Sequence, residues 1–287
     1  MINCKDLFNK KIDYIKKKVD TYKTNTGRNI ELAIIQVGDN VSSNVYVKNK
    51  IKDCKEVGII PTLYKYDDSI SPEKILESVI RLGVNDDCRG IIIPLPLPKQ
   101  FTKEWQKKIF TAIPLDKDVD GLRIESPFIP CTPKGVLDIL DEVMEQLEVN
   151  TLNGATVCVI GRSENVGKPL VNLLIDRGCT VVNCNSHTYN LDSWLKKCSI
   201  IISAVGKADF LSFDNFVDWK DKIVIDIGIN KNKEGKLCGD CSPELYQVVD
   251  FITPVPNGVG LMTRVSLLDN LTKFIPCPPE YSSEIQF

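Results

Sequence analysis

A glycine turn between an apolar segment and an amphipathic helix is the first feature of this sequence that could do chemistry. The stretch ATVCVIGRSENVGKPLVNLLIDRG (155–178) places Gly161 after an apolar run and Gly167 at a helix start. These glycines permit a tight turn and close backbone approach, and exposed N–H groups there favour a pyrophosphate. Arg162 can bind a ribose 2′-phosphate through two hydrogen bonds, which favours NADP over NAD. Because the spacing is not GxGxxG, a purely structural turn with a surface arginine is the alternative.

Such a turn needs a scaffold of strands and helices. Apolar runs alternate with helical patterns along the chain, which predicts parallel strands joined by crossover helices. We expect an α/β protein with two α/β domains flanking a cleft, the second a Rossmann-like NAD(P)-binding domain, and ligands beyond the carboxyl ends of the strands. The predicted strands are 30–38, 59–66, 90–93, 155–160, 179–183, 199–204 and 223–227.

Helix signals mark the remaining elements. Apolar residues fall on one helical face over 3–22. Ser71, followed by Pro72, and Thr102 are predicted N-caps. A helix over about 133–147 bridges the two domains, and Thr263 is predicted to cap the last helix. The predicted domains are 1–132 together with 263–287, and 133–262.

The composition argues against several classes of function. The 287-residue chain has a formal charge of −2 and no long basic run, so we expect no nucleic acid partner. No apolar stretch reaches the roughly 20 residues that span a bilayer, and the start lacks a secretory signal core, so we expect no membrane partner and a cytoplasmic location. The 11 cysteines are scattered, which indicates reduced thiols. The single CxxC of Cys238 and Cys241 lacks a second pair, so no metal site is predicted.

Motifs spread over almost the whole chain resemble one family. In type and order they are similar to those of the bifunctional methylenetetrahydrofolate dehydrogenase/cyclohydrolase family, usually called FolD. Several separate motifs in the right order are more specific than one glycine loop. They are VGDNVSSNVYVKNKIKDCKEVGI (37–59), GIIIPLPLP (90–98), PLDKDVDGL (114–122), PCTPKG (130–135), GRSENVGKP (161–169), VIDIGIN (224–230) and ITPVPNGVGLMT (252–263).

The resemblance implies roles for the domains and for individual residues. Residues 1–132 and 263–287 would form a folate-binding catalytic domain, and 133–262 an NAD(P)-binding domain that includes the bridging helix. The implied cofactor is NADP rather than NAD, the partners are tetrahydrofolate one-carbon derivatives, and the assembly is a homodimer. The implied catalytic residues are Tyr46, Lys50 and Asp120; the cofactor contacts are Gly161, Arg162, Ser163, Gly167, Ser186, Ile229 and Pro256; and the substrate contacts are Tyr46, Asp120, Pro94 and Gly258.

The three implied catalytic residues are chemically suited to a pterin. Tyr46 and Lys50 are four apart in a predicted helix (42–57), so they share one face. The tyrosine ring can flank a flat heterocycle, and a lysine in a partly dry cleft can exchange protons near neutrality. Asp120 can accept hydrogen bonds from the amino and N3–H groups of a pterin. Without the resemblance, Tyr46 and Lys50 would be interpreted as a surface pair and Asp120 as a turn residue before glycine.

The sequence departs from the family at Pro94. The resemblance implies a glutamine at this position, which hydrogen-bonds to the lysine and tunes it, whereas proline offers neither a polar side chain nor an N–H. Removing a hydride from 5,10-methylenetetrahydrofolate requires no proton abstraction. Hydrolysing the methenyl product requires water to be deprotonated and a ring nitrogen to be protonated. We therefore expect dehydrogenase activity to persist and cyclohydrolase activity to be weak or lost.

Three smaller departures affect the ligand contacts. Asn257 replaces a glycine, and asparagine tolerates left-handed backbone better than other substitutes. The loop over 123–129 is shorter than in the family, which alters the rim of the folate site. Asn185 takes the place of a histidine, and we assign no role to His187, the single histidine of the chain.

Three alternative functions stay open. The first is a fully bifunctional enzyme. The second is another two-domain dehydrogenase with an active-site lysine, acting on shikimate or amino acids, but such proteins do not explain YVKNK together with DVDG and PVPNGVG. The third is a catalytically silent folate or nucleotide sensor, against which the retained Tyr46, Lys50 and Asp120 argue.

Overall fold

The chain folds as two compact α/β units in a computed structural model that describes residues 1–215 and 217–276, without the side chains of 41 and 42. The first, here the lysine unit, comprises Lys10–Ile129 and the described residues from Leu267. The second, here the glycine-loop unit, comprises Met1–Asn9 and Pro130–Ser266. The predicted mixed α/β class with parallel sheets is confirmed. The predicted domain boundaries stay a prediction, and their last part, 277–287, lies outside the described residues.

A parallel sheet with strand order β2-β1-β3 forms the centre of the lysine unit. β1 is buried over almost its whole length because it is the central strand, whereas β2 at the edge is only partly buried. α3 and α4 pack on the sheet through Ile75, Val79 and Ile109. The elements are α1 (Cys4–Thr26, which begins in the glycine-loop unit), β1 (Glu31–Val37), α2 (Val41–Glu56), β2 (Ile60–Tyr66), α3 (Pro72–Gly83), β3 (Cys88–Ile92) and α4 (Lys103–Ala112).

The two predicted N-caps of this unit differ in the structure. Thr102 caps α4, since its Oγ1 accepts the N–H of Trp105 at 3.4 Å. Ser71 precedes α3 with Pro72 at its first position, but the serine side chain makes no capping hydrogen bond. The start of α3 therefore rests on the fixed φ of proline and on the buried face that follows it.

A second parallel sheet, with strand order β10-β7-β6-β4-β5, forms the glycine-loop unit. β5 lies on one side of β4, while β6 and β7 lie on the other, so the strand order reverses at β4. Ligands of open α/β sheets bind at such a switch point, beyond the carboxyl ends of the strands. The elements are α5 (Cys131–Gln146), β4 (Thr156–Ile160), α6 (Gly167–Asp176), β5 (Thr180–Cys184), α7 (Leu191–Lys197), β6 (Ile200–Ser203), β7 (Ile223–Asp226), the antiparallel pair β8 (Asn230–Lys231) and β9 (Leu237–Cys238), α8 (Leu245–Val248), β10 (Phe251–Ile252) and α9 (Val259–Leu271, which ends in the lysine unit).

The prediction that Thr263 caps the last helix is wrong. α9 begins at Val259, and Thr263 lies inside it, where its Oγ1 donates to the Val259 carbonyl at 3.0 Å. Threonine hydroxyls bond either to a helix start or to the carbonyl four residues back, so the residue type alone does not distinguish the two positions.

The described cysteines are all free thiols, and all of them except Cys238 are buried. Burial raises the pKa of Cys4 and of Cys54 to about 12. Cys241 is buried too, and loss of hydration raises its pKa further. Within the described residues, every helix is too short or too polar to cross a bilayer.

Replacing Gly135 with alanine tests the close approach of α5 and α9. A Cβ at residue 135 would lie 2.8 Å from the Cβ of Met262 and 2.9 Å from its backbone carbon. We expect Gly135→Ala to lower the free energy of unfolding by about 1–3 kcal/mol, because backbone cannot yield as a side chain does. The control is Gly260→Ala in α9, where a Cβ meets nothing within 4 Å. Chemical denaturation of both variants measures the difference, and equal stabilities would contradict the packing argument.

Candidate active site

Lys50, Tyr46 and Asp120 form one cluster in the lysine unit. The Lys50 side chain is 1% exposed, and its Nζ lies 3.1 Å from Oδ1 of Asp120, which is 16% exposed. The same Nζ lies 4.1 Å from the centroid of the Tyr46 ring, a cation–π distance produced by the four-residue spacing on α2. The structure thus brings the three residues together, and the surface-pair interpretation does not fit a lysine this deeply buried. Tyr46 and Asp120 are partly exposed, so a ligand can reach the cluster.

Lys117 and Asp118, which precede Asp120 in the chain, fix the backbone of the segment that carries it. The buried ammonium of Lys117 donates to the carbonyls at the end of α3 and just beyond it. Asp118 is buried and accepts the N–H groups of Leu122 and Arg123 at 3.2 and 3.0 Å. Burial raises the pKa of Asp118, against the lowering effect of these N–H donors. Lys117 therefore anchors the DVDG segment on one side, and Asp118 closes it into a turn on the other.

Asn270, near the chain end, holds the same segment from another direction. Its buried Nδ2 donates to the carbonyls of Val119 at 2.8 Å and Ile129 at 3.0 Å. Val119 and Leu271 also pack directly on Gly90 of β3, where a Cβ would lie 2.8 and 2.7 Å from their side chains. Sequence reasoning missed Lys117, Asp118 and Asn270, because their partners are backbone atoms that no motif identifies.

The PLPLP segment follows β3 directly. Pro94 is buried, two residues beyond the end of β3 at Ile92. The segment is tied to α2, since the Ser43 hydroxyl donates to the Leu95 carbonyl at 3.2 Å. Pro94 therefore fills a buried position at the carboxyl end of a strand with a side chain that can neither donate nor accept a hydrogen bond.

The glycine turn of the second unit is as tight as the sequence predicts. Gly161 has φ 122°, and a Cβ there would lie 2.6 Å from the Ala204 carbonyl oxygen. A Cβ at Gly167 would collide with the Gly161 carbonyl. Asn183, which sequence reasoning missed, donates from Nδ2 to the carbonyls of Gly161 at 2.7 Å and Val159 at 3.0 Å. The turn is thus locked between β5 and α6.

The expectation of exposed N–H groups at the start of α6 is wrong, because these groups bond within the protein. The Gly167 N–H donates to Ser163 Oγ at 3.3 Å, and the Lys168 N–H donates to the Ser163 carbonyl at 3.1 Å. Pro169 has no N–H. The helix start is therefore satisfied within the protein, because Ser163 acts as its local cap. Arg162 and Ser163 are both exposed.

The other predicted cofactor residues all follow carboxyl ends of strands in the same parallel sheet. Ser186 follows β5, Ile229 follows β7 and Pro256 follows β10, and all three are exposed. Gly258 is buried, and a Cβ there would collide with the Pro254 carbonyl. Asn257 has φ 75°, so the expected left-handed turn is present. Parallel strands bring these loops to one edge of the sheet.

Comparison with known proteins covers most of the chain. Residues 2–120 match the family model of the tetrahydrofolate dehydrogenase/cyclohydrolase catalytic domain, and residues 130–276 match its NAD(P)-binding domain. The bifunctional protein FolD of Thermodesulfovibrio yellowstonii is 41% identical over 266 residues, which is 89% of each chain.

Solved structures agree with this comparison. The bifunctional FolD methylenetetrahydrofolate dehydrogenase/cyclohydrolase of Campylobacter jejuni superimposes with a TM-score of 0.86 at 35% identity, over 94% of this chain and 96% of its own. FolD of Trypanosoma brucei, complexed with NADP and an inhibitor, gives a TM-score of 0.83 at 25% identity, over 94% of this chain and 95% of its own.

Asp120→Asn tests whether the carboxylate stabilises the buried ammonium. The amide oxygen still accepts a hydrogen bond but carries no charge, so we expect the free energy of unfolding to fall by about 2 kcal/mol. Asp116→Asn makes the same chemical change at an exposed position four residues earlier and should stay within about 0.5 kcal/mol of the parent. Urea denaturation of both variants measures this. Equal effects would mean that the ion pair contributes nothing to stability.

Proposed function

Because the chain belongs to the tetrahydrofolate dehydrogenase/cyclohydrolase family, we propose that it oxidises 5,10-methylenetetrahydrofolate to 5,10-methenyltetrahydrofolate in one-carbon metabolism, with NADP as hydride acceptor. The observation that carries this proposal is the cluster of Lys50, Asp120 and Tyr46 in the region that matches the catalytic-domain model. NADP is supported by the exposed Arg162 beside the glycine turn and by the NADP bound to the trypanosomal relative.

Each residue of the cluster has a separate task in this proposal. Asp120 accepts hydrogen bonds from the pterin ring, and Tyr46 flanks that ring. A hydride leaves the one-carbon bridge for the nicotinamide, so the substrate becomes a resonance-stabilised amidinium and NADP⁺ becomes NADPH. No proton is abstracted in this step, so the protein needs only to hold the two reactants in contact. Lys50 supports the pterin site through its ion pair with Asp120.

The second reaction of the family is proposed to be weak or lost. Hydrolysis to 10-formyltetrahydrofolate requires a proton to leave water and another to reach a ring nitrogen, and Lys50 is the group that exchanges them. The buried Pro94 supplies no amide to tune that lysine. A fully bifunctional enzyme is the second candidate, and it is supported by the names of the relatives from Thermodesulfovibrio and Campylobacter.

A paired assay tests these proposals. The native protein is given 5,10-methylenetetrahydrofolate with NADP⁺ or NAD⁺, and separately 5,10-methenyltetrahydrofolate. We expect substrate-dependent NADPH formation and hydrolysis little above the spontaneous rate. Rapid methenyl hydrolysis would identify a bifunctional enzyme, and reduction only with shikimate or an amino acid would identify another dehydrogenase. Tight folate binding without turnover would identify a sensor.

We also propose a cytoplasmic homodimer, which the resemblance implies. Light scattering on the purified protein should give about twice the 32.2 kDa chain mass.

Pro94→Gln should raise methenyl hydrolysis at least severalfold, because it restores an amide at the buried end of β3. Pro98→Gln is the matched control, since it makes the same change at a partly exposed position in the same segment. Initial hydrolysis rates, corrected for the spontaneous reaction, measure the gain. A gain in both variants, or in neither, would reject Pro94 as the cause.

Arg162→Ala should raise the KM for NADP⁺ about tenfold while leaving the KM for NAD⁺ within twofold, because it removes the guanidinium assigned to the 2′-phosphate. Arg177→Ala removes an arginine that pairs with Asp141 at 3.0 Å near the end of α6 and serves as control. Steady-state kinetics with both cofactors give the result. Parallel losses for NADP⁺ and NAD⁺ would refute the assignment.

A further inference from the structure

Asp240, just after β9, is a fully buried carboxylate surrounded by donors. Two side chains donate to it, Ser203 Oγ at 2.8 Å and Asn230 Nδ2 at 2.9 Å. Three consecutive backbone N–H groups in the loop that follows β6 also donate to it: those of Val205 at 2.9 Å, Gly206 at 3.3 Å and Lys207 at 2.9 Å. The carboxylate thus fixes the backbone over 205–207 from inside the protein.

A second buried carboxylate holds Asp240 in place. Asp226, at the end of β7, accepts the N–H groups of Asp240 and Cys241, each at 2.9 Å. Its own N–H donates to Thr253 Oγ1 at 2.7 Å, just before the loop that contains Pro256. The two aspartates therefore connect the loops that follow β6, β7, β9 and β10.

The loop fixed by Asp240 adjoins the glycine turn. Ala204 begins this loop, and its carbonyl would lie 2.6 Å from a Cβ at Gly161. The two loops follow β6 and β4, the neighbouring strands at which the sheet order reverses. This is where an open α/β sheet binds its ligand.

Consecutive N–H groups that converge on one point form a concave anion site, which many proteins use for phosphate. Here that position is filled by the protein's own carboxylate, so the N–H groups over 205–207 are not available to a cofactor phosphate. What the loop presents outward is its side chains, of which Lys207 is exposed and Val205 is 37% exposed.

We propose that Asp240 is a positioning residue for the nicotinamide cofactor, and that it holds loop 204–207 in a fixed shape as one wall of the cofactor site. This inference rests on the proposed function, because it assumes that the glycine-loop unit binds NADP. Asp240 is fully buried, so in this proposal it acts on the cofactor through the loops that it orders and touches no reactant itself. Losing it should therefore weaken cofactor binding and leave the folate site unchanged.

Asp240→Asn is the direct test in the full-length protein. An amide NH₂ faces the donors in place of one oxygen, so the loop loses part of its anchor. We expect the Kd for NADPH, measured by fluorescence titration, and the KM for NADP⁺ to rise more than tenfold. The KM for 5,10-methylenetetrahydrofolate should stay within twofold. Hydrogen exchange should quicken at the amides of 205–207 and remain slow in β6. Asp214→Asn, at an exposed position, is the control.

A pair of glycine variants provides the second test and leaves the buried carboxylates intact. Gly206 has φ 71° and Gly235 has φ 78°, and a Cβ at either position meets nothing within 4 Å. Alanine introduces similar backbone strain at both, but only Gly206 lies in the loop that Asp240 holds. We expect Gly206→Ala to raise the Kd for NADPH at least threefold and Gly235→Ala to leave it unchanged.

The outcomes separate the two proposals. A folded Asp240→Asn variant with parental NADPH affinity, or equal affinities for the two glycine variants, would overturn the positioning role. If Asp240→Asn does not fold, the glycine pair decides. If the parent protein binds NADPH but never reduces NADP⁺ with methylenetetrahydrofolate, the proposed function fails while the binding measurements still test the role of Asp240.

Discussion

The burial of one ammonium group constrains the lysine unit. Lys50 is 1% exposed, and removing such a charge from water costs several kcal/mol unless partners replace the lost hydration. The carboxylate of Asp120 and the ring of Tyr46 supply that replacement. The Tyr46 ring lies beside Lys50 because residues four apart share one face of a helix, but Asp120 is 70 residues away from Lys50 in the chain. Its loop must therefore be held in place, and Lys117, together with the other anchors of the DVDG segment, serves this purpose.

In the glycine-loop unit the buried charged groups are carboxylates rather than an ammonium, and their lost hydration must likewise be replaced by protein groups. Asp226 and Asp240 are buried anions, and their hydration is replaced mainly by backbone N–H groups from loops at strand ends. Burial raises the pKa of Asp226, and the N–H donors of Asp240 and Cys241 oppose that shift. In both units, a buried charge converts loops that have little regular structure into fixed surfaces. The strands determine where these loops begin, and the buried charges determine the shape they keep.

The sequence predicted what depends on local pattern. Apolar runs located β1 and β4 within a residue or so, and the tight turn at Gly161 followed from residue type. Contacts between distant residues could not be predicted in this way. Asn183 and Asn270 bind carbonyl groups, and every residue has a carbonyl, so no sequence signal identifies these partners. The expectation of free N–H groups for a phosphate at the start of α6 failed for a related reason. The hydroxyl of Ser163 accepts the Gly167 N–H, and the sequence does not show that this hydroxyl bonds there.

The distribution of the thiols has a practical consequence. Disulfide formation and alkylation proceed through the thiolate. Burial hides the described cysteines other than Cys238, and it raises the pKa of Cys4, Cys54 and Cys241. Among the described residues, Cys238 is the thiol that solvent reaches most readily, and it lies on the short β9 strand, two residues before Asp240. Loss of hydration and the nearby carboxylate of Asp209 raise the pKa of Cys238, so a maleimide fluorophore would be attached there at mildly alkaline pH. With Cys277, outside the described residues, replaced by serine, the label would place a spectroscopic reporter beside the loops of the glycine-loop unit.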